Sequence, residues 1–278
     1  MEDQRLQAEI DGAGAYEALH VPALFEEWTH RVLDAAEVGR GHRVLDVACG
    51  TGVLSRAAAD RAGVGGAITG VDPNPGMLTV ARRLSEGIRW VEGVAEDLPC
   101  EDHSFDRVVS QFGMMFFMDR RAAVEEMLRV LVPGGRLAVA VWDTLENTPA
   151  YARAVGLLDR MAGSDAANAL RAPFVMGDRT ELEDLMRQAG VRDVTGITPT
   201  GRARFPSLRA MVEADLRGWL PVMGVDLEEE LILSILSRAE EELAEYVTPD
   251  GGVEFASPAH IVSGRRAEQL RLTRRGHG

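Results

Sequence analysis

The stretch Val44–Ser55, VLDVACGTGVLS, is the strongest constraint on the fold. It begins as an apolar, β-branched run, passes two glycines within three residues (Gly50 and Gly52), and continues into a helical pattern. A strand that turns into a helix through glycine brings bare backbone against a ligand. The chain is therefore restricted to α/β layouts that bind at the carboxyl end of a strand. The turn does not follow the dinucleotide pattern closely. A third small residue would fall at Ser55, and the strand end carries an acid, Asp46. A carboxylate there repels phosphate and attracts a cation.

From residue 43 onward strands alternate with helices, which predicts a parallel sheet covered on both faces. Strands are expected at 43–47, 67–71, 88–92, 106–110 and 136–142. Helices are expected at 52–61, at 75–86 with Gly87 as the stop, and at 119–132. Beyond Trp142 the rhythm changes. A helix at 149–162 leads into a loop, and Thr180–Glu183 reads as a capping box opening a helix that Gly190 closes. A sixth strand is expected at 191–197, helices at 207–220 and 226–246 (the latter opened by a cap at Asp226), and a strand pair at 253–263. The expected division is lid helices over 1–40, a core over 41–206 with an insertion at 143–178, a helical cap insertion over 207–246, a final core strand over 247–266, and a basic tail over 267–278.

Composition narrows the function. The net charge is −14, which disfavours nucleic acid as a partner. The arginines near the C-terminus, Arg265, Arg266, Arg271, Arg274 and Arg275, read as a solvated tail. All 30 basic residues are arginine, so lysine chemistry is excluded. The two cysteines, Cys49 and Cys100, match no metal-ligand spacing and suggest no disulfide framework, and no metal cluster is visible. No membrane-length apolar run or basic, apolar leader is present, so the expected location is the cytoplasm.

Four unusual segments fall at strand ends: the 46–52 turn, Asp72 in GVDPNPGML, 91–100 after the third strand, and 110–117 after the fourth. An acid such as Asp72 can accept both hydroxyls of a ribose. Taken together with LDVACGTG (45–52), EGVAEDLPCEDHSFDRVV (92–109), QFGMMFF (111–117) and EEMLRVLVPGGRLAVAVW (125–142), this order resembles the class I S-adenosylmethionine-dependent methyltransferases. Within them it is similar to the ubiquinone/menaquinone-type C-methyltransferases and their small-molecule relatives. The resemblance covers about residues 40–145. It implies a Rossmann-like, seven-stranded, mostly parallel sheet with N-terminal lid helices and a helical cap insertion. It also implies S-adenosyl-L-methionine as cofactor and a small organic methyl acceptor such as a quinone, phenol or secondary metabolite.

By the same resemblance, Asp46 and the backbone of Ala48 and Gly50 hold the methionine end, and Thr51 and Gly52 shape the turn. Asp72 binds the ribose, Met77 packs beside the adenine, Ala95 presents its backbone to the adenine edge, and Gln111 lines the wall near the sulfonium. Tyr16, Pro73 and Phe112 are counted with these contacts. Val94 stands where the family often has Asp or Asn, and Glu96 is the expected substitute.

Methyl transfer from a sulfonium needs alignment and a dry cavity; a base is needed only if the acceptor loses a proton. His20, in the expected lid with Tyr16, Trp28 and His30, is the first candidate base, and Asp143 the second. His103 reads as a solvated turn residue, His260 as a satisfied core histidine, and Cys49 as a small turn residue. Met114–Phe117 suit either a substrate pocket or the core. Two other readings stay open: a protein of this fold that uses the cofactor structurally, and a nicotinamide-dependent oxidoreductase. A homodimer is kept as an option.

Overall fold

The computed structural model describes residues 2–268. The arginines at 271, 274 and 275 lie outside them. Eight strands form one sheet: β1 (Arg43–Val47), β2 (Ala67–Asp72), β3 (Arg89–Glu92), β4 (Phe105–Gln111), β5 (Leu131–Trp142), β6 (Arg192–Ile197), β7 (Thr200–Phe205) and β8 (Val253–Arg265). The main path runs β3-β2-β1-β4-β5-β8-β6, with β7 added on β8. Strands β1 to β5 are mutually parallel, and β8 is antiparallel to β5, β6 and β7. The order reverses between β1 and β4, so their carboxyl ends flank the crevice where ligands bind in such sheets.

β1 is buried along Val44–Val47, as a strand covered on both faces must be. Helices Val53–Ala62, Pro75–Leu84 and Arg120–Val130 cover the sheet. Asn74 and Asp119 cap the second and third by accepting from the N–H groups of Met77 and Ala122. The chain enters through the helix Glu2–His20, a π-helical turn Val21–Phe25, and the helix Thr29–Ala35.

Several expectations are corrected. The strand pair at 253–263 is one thirteen-residue strand, β8, whose first half pairs with β7 and whose second half lies between β5 and β6. β7 was not expected. Its Gly201, Ala203 and Phe205 are buried while Thr200, Arg202 and Arg204 are exposed, a period-two pattern hidden because two of its three inward residues are too small to read as apolar. The loop after residue 162 is a second helix, Ser164–Arg171, packed through Ala166, Ala167, Ala169 and Leu170. The helix at 179–188 is capped by Asp178, which accepts from Thr180 and Glu181, and not by a box at Thr180. The helix expected from Asp226 begins at Glu229. The 75–86 helix ends at Leu84, before Gly87. The 207–220 helix is interrupted by a π-helical turn, Ala214–Trp219. Arg266 is not part of a solvated tail: its Nη1 donates to the carbonyls of Leu128, Arg129 and Leu131, closing the helix Arg120–Val130. No helix among the described residues is long and apolar enough to cross a membrane.

Candidate active site

A cavity of about 480 Å³ opens at the carboxyl ends of β1, β2, β3 and β4. Asp46, Ala48 and Gly50 line it from β1 and its turn, Asp72, Pro73 and Met77 from the end of β2 and the following helix, and Val94, Ala95 and Glu96 from beyond β3. Gln111 ends β4 and Phe112 follows it, and Tyr16 comes from the N-terminal helix. The structure thus brings together twelve of the fourteen expected cofactor contacts. The remaining two, Thr51 and Gly52, lie behind the surface and shape the turn. Gly52 has φ 87°, and a Cβ there would stand 2.3 Å from the ring of Trp90. Only glycine fits both constraints.

Two non-glycine residues at this crevice adopt left-handed backbone: Ala48 (φ 57°) and Phe112 (φ 56°). Such strain concentrates at functional sites. They sit at the ends of the neighbouring strands β1 and β4, and a Cβ on Gly113 would meet that of Ala48 at 2.5 Å.

The polar groups suit a cation and hydroxyls, not a phosphate. Among the described residues, no basic side chain lines the cavity. Asp46 is buried and accepts from the Ser55 hydroxyl at 2.6 Å. Burial pushes its carboxyl up to about 7, with the negative charge of Asp72 adding to the effect and the Ser55 bond opposing it. A cation beside it would restore the carboxylate. The Gln111 amide donates to the Phe25 carbonyl at 3.1 Å, while its Oε1 is buried without a partner. Asp72 accepts from the N–H of Gly50 at 2.8 Å and of Asn74 at 2.9 Å. Burial also raises its pKa, those two bonds opposing. Glu96 lines the cavity but spends Oε1 on the N–H groups of Met118 and Asp119. Val94 is half exposed at the rim.

A second, smaller cavity of about 100 Å³ adjoins the first. That is about two thirds of the roughly 150 Å³ of an apolar cavity that takes up benzene. Tyr16, Phe25, Phe112, Phe116 and Trp219 border both cavities. Trp142, Tyr151 and Phe174 complete the aromatic wall, and His20, Asp215 and Ser257 are its polar members. The ring of Phe112 stacks on that of Trp142 at 3.8 Å. Both π-helical turns lie here, supplying Leu24 and Phe25 from one side and Asp215 and Trp219 from the other. Such turns recur at functional sites.

The two candidate bases part company. His20 is buried in the wall of the small cavity. Asp143 lines neither cavity. Its oxygens accept from the Thr144 N–H and the Asn147 amide, and His260 Nε2 lies 3.2 Å away. It is therefore a loop anchor without access to a ligand. His260 is a satisfied core histidine, bonded to the Thr198 hydroxyl and the Gly177 carbonyl. Cys49 is buried and its thiol is pushed well above its ordinary pKa by burial, which suits a turn residue and not a nucleophile. Met114 and Met115 belong to the core, whereas Phe116 and Phe117 line the cavities. Sequence reasoning missed Asp215, Tyr151 and Trp219. No motif marks them, because a residue on a helix laid over the sheet shows its direction only once that helix is packed.

The switch-point crevice with an acid at the end of each of two adjacent strands defines a class I methyltransferase site. Residues 45–139 match the methyltransferase domain model. The chain is 33% identical over 195 residues to the demethylmenaquinone methyltransferase of Paenarthrobacter aurescens, covering 64% of this chain and 76% of that protein. It is 36% identical over 196 residues to a ubiquinone/menaquinone biosynthesis C-methyltransferase of Chromobacterium violaceum, covering 64% of this chain and 78% of that one. A solved structure of a putative methyltransferase from Anabaena variabilis aligns with TM-score 0.64 at 16% identity, covering 86% and 96% of the two chains. The chain belongs to the S-adenosylmethionine-dependent methyltransferase family that includes these quinone-pathway enzymes. It is a methyltransferase, and S-adenosylmethionine is its cofactor. The structural-cofactor and oxidoreductase readings are not favoured.

Proposed function

We propose that the enzyme methylates a small, planar, quinone-type aromatic. The observation that carries this reading is the aromatic cavity fused to the cofactor cavity through Phe112, Phe116 and Trp219. The named activities of the relatives agree with it. Aromatic walls bind flat rings by stacking and exclude water.

In this reading Asp46 and Gln111 hold the amino-acid end of the cofactor, Asp72 takes the ribose hydroxyls, and Met77, Val94 and Ala95 enclose the adenine. When bound, S-adenosylmethionine supplies an activated methyl group on a sulfonium. The chain's own contribution is alignment: the glycine turn fixes one reactant, the Phe112–Trp142 stack the other. The test is incubation with labelled S-adenosylmethionine and a panel of reduced quinones, phenols and aliphatic amines. Label is expected on the aromatics; transfer only to amines would refute the reading.

A further inference from the structure

We propose that His20, aligned by Asp215, is the general base of the reaction and takes a proton from a ring hydroxyl of the aromatic acceptor. The inference rests on the aromatic-acceptor reading above and deepens it.

His20 ends the N-terminal helix, and Asp215 lies in the π-helical turn of the cap. His20 Nε2 faces Asp215 Oδ1 at 3.6 Å, and both side chains are more than nine-tenths buried. The other ring nitrogen, Nδ1, is buried with no hydrogen-bond partner. Buried polar atoms are rarely left so, and here the ring lies in the wall of a largely apolar cavity rich in aromatic rings. A carboxylate on one imidazole nitrogen places the hydrogen there and leaves the opposite nitrogen as the basic one. The arrangement is therefore an acid–histidine pair with its basic nitrogen unspent. The other titratable groups against the pair are Tyr16, stacked on His20 at 5.7 Å, and Tyr151, across the cavity. Neither is basic. Burial raises the Asp215 pKa, and the contact with His20 opposes that rise.

The chemistry balances as follows. The hydroxyl proton moves to His20 Nδ1, leaving a phenolate. An electron pair of the phenolate forms the new bond to the methyl carbon, at oxygen or at the adjacent ring carbon. The methyl–sulfur bond breaks, and sulfur keeps its pair as a neutral thioether. After attack at carbon, His20 returns its proton to the oxygen while the ring carbon loses its hydrogen to water. After attack at oxygen, His20 gives its proton to water. Asp215 touches no reacting atom and is a positioning residue.

The test uses 4-nitrophenol, coloured only when ionised, added to protein saturated with S-adenosylhomocysteine. In the wild type the bound probe should ionise at least one pH unit below the free probe. H20Q should abolish that shift, D215N should reduce it, and H30A, on the exposed face of the same lid, should keep it. Methyl transfer should fall about 100-fold or more in H20Q, with loss of the acidic limb of the pH–rate profile. Calorimetry with S-adenosylhomocysteine on each variant verifies folding and separates a failure of this proposal from a failure of the cofactor site. A wild type that does not bind the probe or does not ionise it, or an unchanged shift in H20Q, would overturn the assignment.

Discussion

The carboxylate of Asp72, at the end of β2, accepts a 2.8 Å hydrogen bond from the backbone N–H of Gly50, in the turn after β1. One acid thus shapes the glycine turn as well as facing the ligand cavity. Asp72→Ala leaves the N–H groups of Gly50 and Asn74 without their acceptor. Hydrogen bonds to charged groups contribute about 1.5–3 kcal/mol, and about 1.4 kcal/mol is tenfold in affinity. Calorimetry should show S-adenosylhomocysteine binding weakened at least about tenfold. Wild-type affinity in the variant would contradict the assigned role.

Asp46 gives the pH dependence. Its carboxyl ionises near 7 in the fold against 3.8 ordinarily, chiefly because it is buried. The folded protein therefore keeps a proton that the unfolded chain has lost. Stability from this group is fully present below the ordinary value and is lost as pH rises through about 7. Without cofactor, Asp46→Asn should gain stability relative to the wild type between pH 4 and 8. Binding of the cationic cofactor should release part of a proton near pH 7. Calorimetry in buffers of different ionisation heat measures that release, and the Asn variant should show none from this site.

Ala48 and Gly113 form a matched pair, since a methyl on Gly113 would collide with that of Ala48. Gly113→Ala should cost about 1–3 kcal/mol. At this chain length that is a fall of about 2–4 °C per kcal/mol in thermal melting. Ala48→Gly removes both the methyl and the left-handed strain, so Gly113→Ala should cost less in that background. Additive effects in the double-mutant cycle would show that the two do not touch.

Arg266 tests the closure of the helix Arg120–Val130. Its guanidinium serves three carbonyls at 2.6–2.7 Å. Arg266→Ala should destabilise by about 1–3 kcal/mol. A lysine there should recover only part of it, because a point charge cannot reproduce the fork. Arg266 stands at the amino end of β5, opposite the cavities, so the Michaelis constants of folded enzyme should be unchanged.

The cofactor half was readable because all of its expected contacts except Tyr16 lie within a few residues of a strand end. Local spacing along Asp46–Gly52, Asp72–Met77 and Val94–Glu96 carries the information, and the sheet merely stacks those ends. The acceptor half was not readable. His20 was singled out only by its place in a presumed lid, and Asp143, the second candidate, turned away toward His260. β7 escaped because Gly201 and Ala203 are buried by strand pairing and not by their own apolar bulk.

The sequence by itself determined the parallel α/β core, the methyl donor and the glycine turn after β1, since backbone conformation and strand-end acids are local properties. Only the tertiary structure decided which histidine lines the small cavity, that Asp215 stands 3.6 Å from it, and that aromatic rings wall the same space. Those pairings join residues nearly two hundred positions apart, and no local pattern encodes a contact made only when the N-terminal helix and the cap fold onto the same sheet edge.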